Sequence, residues 1–141
     1  MYIGVIIKES LEDTSVLNEI VITHTKIEKI TERHKTSWIK QWTLYDIEVD
    51  ENIVDDITQK ISTALDSKHD HSWYADFCND DFHYIIFRNK IFKIDRTKAD
   101  QYQEVSDYGI NLGIPDYQLN FSKFIKNKKY NFKKRTAKFE N

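Results

Sequence analysis

The sequence predicts an α+β protein with a mostly antiparallel sheet of about six strands and two main helices on one face of the sheet. Three short runs rich in β-branched and aromatic residues precede an amphipathic segment near residue 51, and three more follow it. A second helical segment comes next, so the order is β-β-β-α-β-β-β-α. Short polar connections between the strands favour antiparallel pairing.

The first three strands are expected at 2–8, 19–30 and 38–49. The first is a continuous apolar run, which is typical of a strand covered on both faces. In the second, the apolar residues Ile20 and Ile22 occupy even positions, whereas the next one, Ile27, occupies an odd position. This one-residue change in the alternation predicts a β-bulge near residues 24–26.

The first helix is predicted by apolar residues at four-residue spacing: Ile53, Ile57, Ile61 and Leu65. This spacing places them on one stripe of a helix, which must pack on a sheet. Asp50 precedes the stripe and is expected to cap the helix, because its carboxylate can accept hydrogen bonds from the first free amide groups.

Three short strands are expected after this helix, at 71–78, 82–87 and 91–95. The tripeptides Asn-Asp-Asp at 79–81 and Arg-Asn-Lys at 88–90 suit tight hairpin turns, because Asn and Asp tolerate positive φ. The second helix is expected to begin after Thr97, which forms a capping pattern with Asp100, and to end at Gly109.

Composition limits the classes of protein that remain. The single cysteine, Cys78, excludes an internal disulfide framework and fits a reducing compartment. We find no signal-peptide pattern, and no apolar stretch is long enough for a membrane span, so the expected location is the cytoplasm, without membrane association. No motif predicts a bound cofactor.

The charge is unevenly distributed, which divides the chain into a domain at 1–121 and a basic tail at 122–141. The tail holds eight basic residues and one acid, whereas residues 1–121 hold 13 basic and 22 acidic residues. Aromatic rings alternate with cations in the tail, a pattern compatible with binding single-stranded nucleic acid. The residues proposed for that contact are Lys128, Lys129, Tyr130, Phe132, Lys133, Lys134 and Arg135. A solubilising extension, or a segment docked on the acidic body, explains the same composition.

The aromatic residues of the later strands suggest a partner or ligand surface. If both helices cover one face of the sheet, aromatic side chains remain on the other, and such a face could bind a ligand, a partner or a second subunit. The favoured function is therefore a non-enzymatic binding or interaction module, with a homodimer as one form of it. The residues predicted for this surface are Trp73, Tyr74, Asp76, His83 and Tyr84.

The alternative is a metal-binding protein or enzyme built on the hairpin at 71–83. His71, Asp76, Cys78 and His83 carry donor atoms that a transition metal could use if they converged across the hairpin. No known zinc spacing, phosphate-binding glycine loop or nucleophile elbow is present, so turn and core roles explain these residues better. A nucleophilic dyad of Cys78 with His83 or His71 would need an exposed thiol with a lowered pKa.

Three segments, HSWYADF, FHYIIFRNKIFKIDR and YGINLGIPDYQLNF, resemble a group of small bacterial proteins without assigned function. The resemblance covers roughly Met1 to Phe121. It includes Trp73, Tyr74, Asp76 and Phe77, the run 84–87, and the glycine-containing turns near 109 and 113. It implies no activity, and the basic tail extends beyond it.

Overall fold

A computed structural model describes residues 1–126, in which six strands form one antiparallel sheet and two α-helices pack against it. The strands are β1 (Tyr2–Ile7), β2 (Val21–Lys29), β3 (Gln41–Val49), β4 (Tyr74–Cys78), β5 (Phe82–Phe87) and β6 (Lys90–Asp95). The helices are α1 (Val54–Ala64) and α2 (Ala99–Asn111). The strand order in space is β2-β3-β1-β4-β5-β6, and every pairing is antiparallel. The predicted α+β class with a mostly antiparallel sheet of six strands is confirmed.

The two helices lie on opposite faces of the sheet, so the prediction that both cover one face is wrong. Tyr84 and Ile86 of β5 belong to the core under α1, whereas Ile85 and Phe87 belong to the core under α2. Successive side chains of a strand point to opposite faces, so these two cores must be on opposite sides. The run FHYIIF is apolar in both phases because both of its faces are covered.

The first face of the sheet packs on α1. Ile57 and Ile61 of the predicted helical stripe are fully buried against residues of β1, β3, β4 and β5. The helix begins at Val54, and Asp50 does not cap it: its carboxylate accepts from the Asn52 amide in the preceding turn. The amphipathic pattern thus located the helix correctly, but the first turn begins later than the capping residue suggested.

In the part of the chain that the structure describes, the second face is covered over only half of its width. α2 packs on β5 and β6 through Tyr102 and Val105, and the following residues return across the sheet. We call residues 114–126 the C-terminal strap; it contains short 3-10 turns at Asp116–Leu119 and Ser122–Phe124. Within residues 1–126 no helix covers this second face over β1, β3 and β2, and Ile3 and Val21 are exposed there.

Glycine explains how α2 joins the strap. The helix does not end at Gly109 as predicted: Gly109 is buried inside it, and an added Cβ would lie 2.6 Å from the Leu119 side chain. The left-handed residue that ends the turn is Gly113, with φ +90°. The predicted cap at Thr97 is also absent, because the Thr97 hydroxyl donates to Asp95 instead.

The remaining boundaries differ by a few residues. β3 begins at Gln41 and β4 at Tyr74, both later than predicted. The bulge in β2 lies between Ile22 and His24, slightly before the predicted place. The turn between β5 and β6 is the predicted one, with Asn89 at φ +58°.

Candidate binding groove

The open half of the second sheet face forms a groove along β1. Its floor is made by Ile3 and Val5, whose pairing partners on β3 are Glu48 and Asp46 and on β4 are Cys78 and Asp76. Directly paired residues lie on the same face, so each apolar floor residue has an acidic neighbour on β3. Val5 is flanked by carboxylates on both sides. The groove therefore combines an apolar floor with negative charge along its edges.

The C-terminal strap forms the other wall of the groove. The Tyr74 hydroxyl donates to the Gln118 carbonyl, and the Tyr117 hydroxyl donates across the sheet to the Arg33 carbonyl at 3.0 Å. The Arg33 guanidinium also lies 3.8 Å from the centre of the Tyr117 ring. These contacts fix the strap between α2 and the loop before β3, so the wall is supported at both ends.

The groove contains two connected pockets of about 820 Å³ and 220 Å³. Residues common to both are Val5, Tyr74, Asp76 and Gln118, which lie at the middle of the groove. The larger pocket is within the size range of small-ligand sites and is partly open to solvent.

Asp76 occupies this central position and is held from behind by a buried pair of side chains. Its Oδ2 lies 2.7 Å from Nε2 of His83, and Nδ1 of His83 lies 2.9 Å from the Tyr102 hydroxyl. A carboxylate only accepts, so Nε2 donates to Asp76; in the neutral tautomer of His83 with its proton on Nε2, the Tyr102 hydroxyl donates to Nδ1. Burial raises the pKa of Tyr102 to about 12, which keeps that hydroxyl protonated at neutral pH.

This order of groups presents a carboxylate rather than an imidazole to the groove. His83 is completely buried and both of its ring nitrogens are engaged, while the Asp76 side chain is 19% exposed and faces the groove. A general base must reach a proton on the substrate, which His83 cannot do here. The arrangement orients the Asp76 carboxylate for contact with a cation.

Cys78 lines the same groove but lacks the features of a nucleophile. Burial raises the pKa of its thiol, and the charge of Arg96 opposes this only in part. Arg96 itself donates to the carbonyls of Asn79 and Phe124, at 2.6 and 3.0 Å. His83 pairs with Cys78 across the strands, yet its nitrogens bind Asp76 and Tyr102. The proposed Cys–His dyad is not formed.

The predicted metal site is not formed within residues 1–126, where no three His, Cys, Asp or Glu side chains converge to hold an ion. Asp76, Cys78 and His83 lie on one face, but His71 lies elsewhere, edge-on to Trp73 at 4.5 Å and near Trp38. Burial lowers the pKa of His71. The cause of the error is that β4 begins after His71, so its side chain does not continue the alternation of the strand.

The predicted aromatic surface is also corrected, because its rings belong to the cores. Trp73 and Tyr84 are buried in the core under α1, Tyr74 packs against Phe87, and His83 is enclosed under α2. Of the five residues predicted for this surface, Trp73, Tyr74 and Asp76 line the groove, Trp73 in its smaller pocket. The floor along β1 is aliphatic with acidic neighbours, and the aromatic rings of Trp42, Trp73 and Tyr74 line the smaller pocket.

Several groove residues were not identified from the sequence. Ile3, Val5, Asp46 and Glu48 belong to strands that were recognised, and their alternation with core residues was the available signal. Tyr102 was a predicted helix-face residue, but nothing in the sequence links it to His83. The seven residues predicted to contact nucleic acid, Lys128 to Arg135, lie outside the described residues.

Comparison of the chain with models of protein families, with curated proteins and with solved structures gives no match. Within residues 1–126 neither helix has the length and apolar character that a membrane span requires. The interpretation of the groove therefore depends on its own geometry and charge.

Proposed function

We propose that the protein is a non-enzymatic binding module whose groove along β1 accepts a basic peptide segment that also carries apolar side chains. The observation that carries this proposal is the Asp76 carboxylate, fixed by His83 and facing an open groove with an apolar floor. A positively charged side chain could contact Asp76 while neighbouring apolar groups cover Ile3 and Val5.

The energetics favour recognition of a cation at Asp76 over the more exposed acids. Exposed ion pairs contribute only about 0–1 kcal/mol, because water and salt screen them. A hydrogen bond to a charged group that is partly shielded contributes about 1.5–3 kcal/mol. The Asp76 side chain is largely shielded from solvent and already oriented, whereas Asp46 is exposed. Water and salt therefore weaken the attraction of a ligand cation less at Asp76 than at Asp46.

The cytoplasm remains the proposed location, and the free thiol of Cys78 fits a reducing compartment. A homodimer is retained as one form the module could take. Nucleic-acid binding through the tail is kept as an alternative, since its basic and aromatic composition suits that ligand.

Isothermal titration with a capped hexapeptide of alternating lysine and phenylalanine tests the proposal. We expect Asp76→Asn to weaken binding roughly tenfold, which corresponds to about 1.4 kcal/mol. The matched control is Glu104→Gln, which removes one exposed carboxylate from α2, away from the groove. Equal affinities for the two variants, or a peptide with glutamate in place of lysine binding as well, would refute the proposal.

A further inference from the structure

We propose that the groove is occupied by residues 127–141 of the same chain, so that the basic segment competes with external ligands for Asp76. This inference rests on the proposed function, because it names the partner of the same groove. It is carried by three observations: the place where the described chain ends, the length of chain that follows, and the distribution of charge.

The described chain ends at the rim of the groove. The Lys126 amide donates to the Arg96 carbonyl, and the Lys126 ammonium lies 3.6 Å from the Asp80 carboxylate. Arg96 and Asp80 both line the larger pocket, together with Lys123 and Phe124 of the strap. The described chain therefore ends beside the groove, so residues 127–141 need no long connection to reach it.

The following residues are numerous enough to cover the groove. The floor runs along β1, whose six residues span roughly 20 Å at about 3.3 Å per residue. The 15 residues from 127 to 141 can reach roughly 50 Å when extended. A segment that starts at the rim can thus pass Asp76 and reach the far end of the groove.

The charges of the two parts are complementary. Residues 1–126 hold 15 basic and 22 acidic residues, whereas residues 127–141 hold six basic and one acidic residue. The acids on the groove face and its rim are Asp46, Glu48, Glu51, Asp76, Asp80 and Asp81. The basic groups among the pocket residues are Arg96, Lys123 and the N-terminal ammonium of Met1; Arg96 already binds two carbonyls, and the ammonium already pairs with Glu51.

The apolar residues of 127–141 complement the apolar floor of the groove, as its basic residues complement the acids. Tyr130, Phe132 and Phe139 alternate with the cations, and their rings can cover the exposed side chain of Ile3. Covering apolar surface stabilises the contact by roughly 25 cal/mol per Å². A tethered segment also binds at a high effective concentration, so modest contacts are sufficient.

Paramagnetic relaxation in the full chain tests the inference. A spin label is attached at Ala137→Cys in a Cys78→Ala background, and isoleucine methyl groups are observed by NMR. Ile3 lies on the groove face and is 58% exposed, whereas Ile27 lies on the opposite face of the same sheet and is 52% exposed. We expect strong broadening of the Ile3 methyl signal, little effect on Ile27, and recovery of Ile3 in the triple variant K133E/K134E/R135E.

The remaining outcomes are distinguishable. Equal broadening of Ile3 and Ile27 overturns the inference. If the Ile3 signal broadens only when spin-labelled protein is mixed with unlabelled protein, the groove binds the tail of a second copy. That result overturns the proposal that the groove holds residues 127–141 of its own chain. If Ile3 is unaffected but the lysine–phenylalanine peptide still shifts it, the inference fails and the proposed function stands; if neither affects it, both fail. An unaffected Ile3, with a short single-stranded oligonucleotide binding residues 127–141, would identify the segment as a nucleic-acid contact.

Discussion

Replacing Tyr102 with phenylalanine tests the buried support of Asp76. The change removes the hydroxyl that lies 2.9 Å from Nδ1 of His83 and keeps the ring between the helix and the sheet. His83 is 0% exposed, so water does not replace the lost donor. Leaving a buried acceptor without a partner costs about 1–3 kcal/mol.

The matched control is Tyr108→Phe on the same helix. Tyr108 packs its ring on Phe87 and Phe92, and its hydroxyl makes no hydrogen bond within residues 1–126. We expect a change in the free energy of unfolding of at most about 0.5 kcal/mol for the control. For Tyr102→Phe, a loss of about 2 kcal/mol in the free energy of unfolding lowers the Tm of a 141-residue chain by roughly 5–8 °C.

Thermal and urea unfolding of the wild type and the two variants measures these differences. The Tyr102→Phe variant should unfold at a lower urea concentration with an unchanged m-value, because the surface exposed on unfolding is the same. A Tm for Tyr102→Phe equal to that of Tyr108→Phe would show that the hydroxyl does not satisfy His83, and the assigned hydrogen-bond order would be wrong.

Three further predictions follow from the structure. Gly4→Ala should prevent folding or lower the free energy of unfolding by more than about 3 kcal/mol, because the added Cβ would lie 1.9 Å from the Asp76 carbonyl oxygen. Gly113→Ala should cost only about 1 kcal/mol, because only its left-handed backbone opposes the change. Similar urea midpoints for the two variants would contradict this prediction. Burial lowers the pKa of His71, so the unfolded chain binds its proton first and stability should fall as the pH drops from about 6.5 towards that lowered pKa. The His71→Gln variant should lose this part of the pH dependence, and an unchanged pH profile between pH 6.5 and 5 would exclude the assignment. Tyr117→Phe removes the 3.0 Å hydrogen bond from the strap to Arg33. Amide hydrogen exchange should then become faster at residues 116–119 and stay unchanged in α1. An equal change in exchange rate in both segments would argue against the strap as a separately anchored wall.

The sequence was sufficient for the elements of the fold but not for the side of the sheet on which each helix packs. The stripe at Ile57 and Ile61 identified α1, and the turn residue Asn89 identified the hairpin between β5 and β6. The placement of α2 depends on which face of β5 it covers. Because both phases of β5 are apolar, alternation within that strand could not separate the two faces.

The candidate site was only partly visible for a related reason. Asp76 and His83 were selected because they carry reactive groups on neighbouring strands, and the antiparallel register does bring them together at 2.7 Å. Their roles depend on Tyr102, which approaches from a helix 19 residues further along the chain. A contact between elements at that separation follows from packing, which local patterns do not contain.

The central claim is that the open sheet face along β1 binds a basic segment through Asp76. A crystal structure of the protein with the lysine–phenylalanine hexapeptide tests it most directly. The account predicts a peptide lying over Ile3 and Val5, with a lysine ammonium within hydrogen-bond distance of the Asp76 carboxylate. A peptide bound elsewhere, such as along the edge strand β2, with the groove empty, would contradict it.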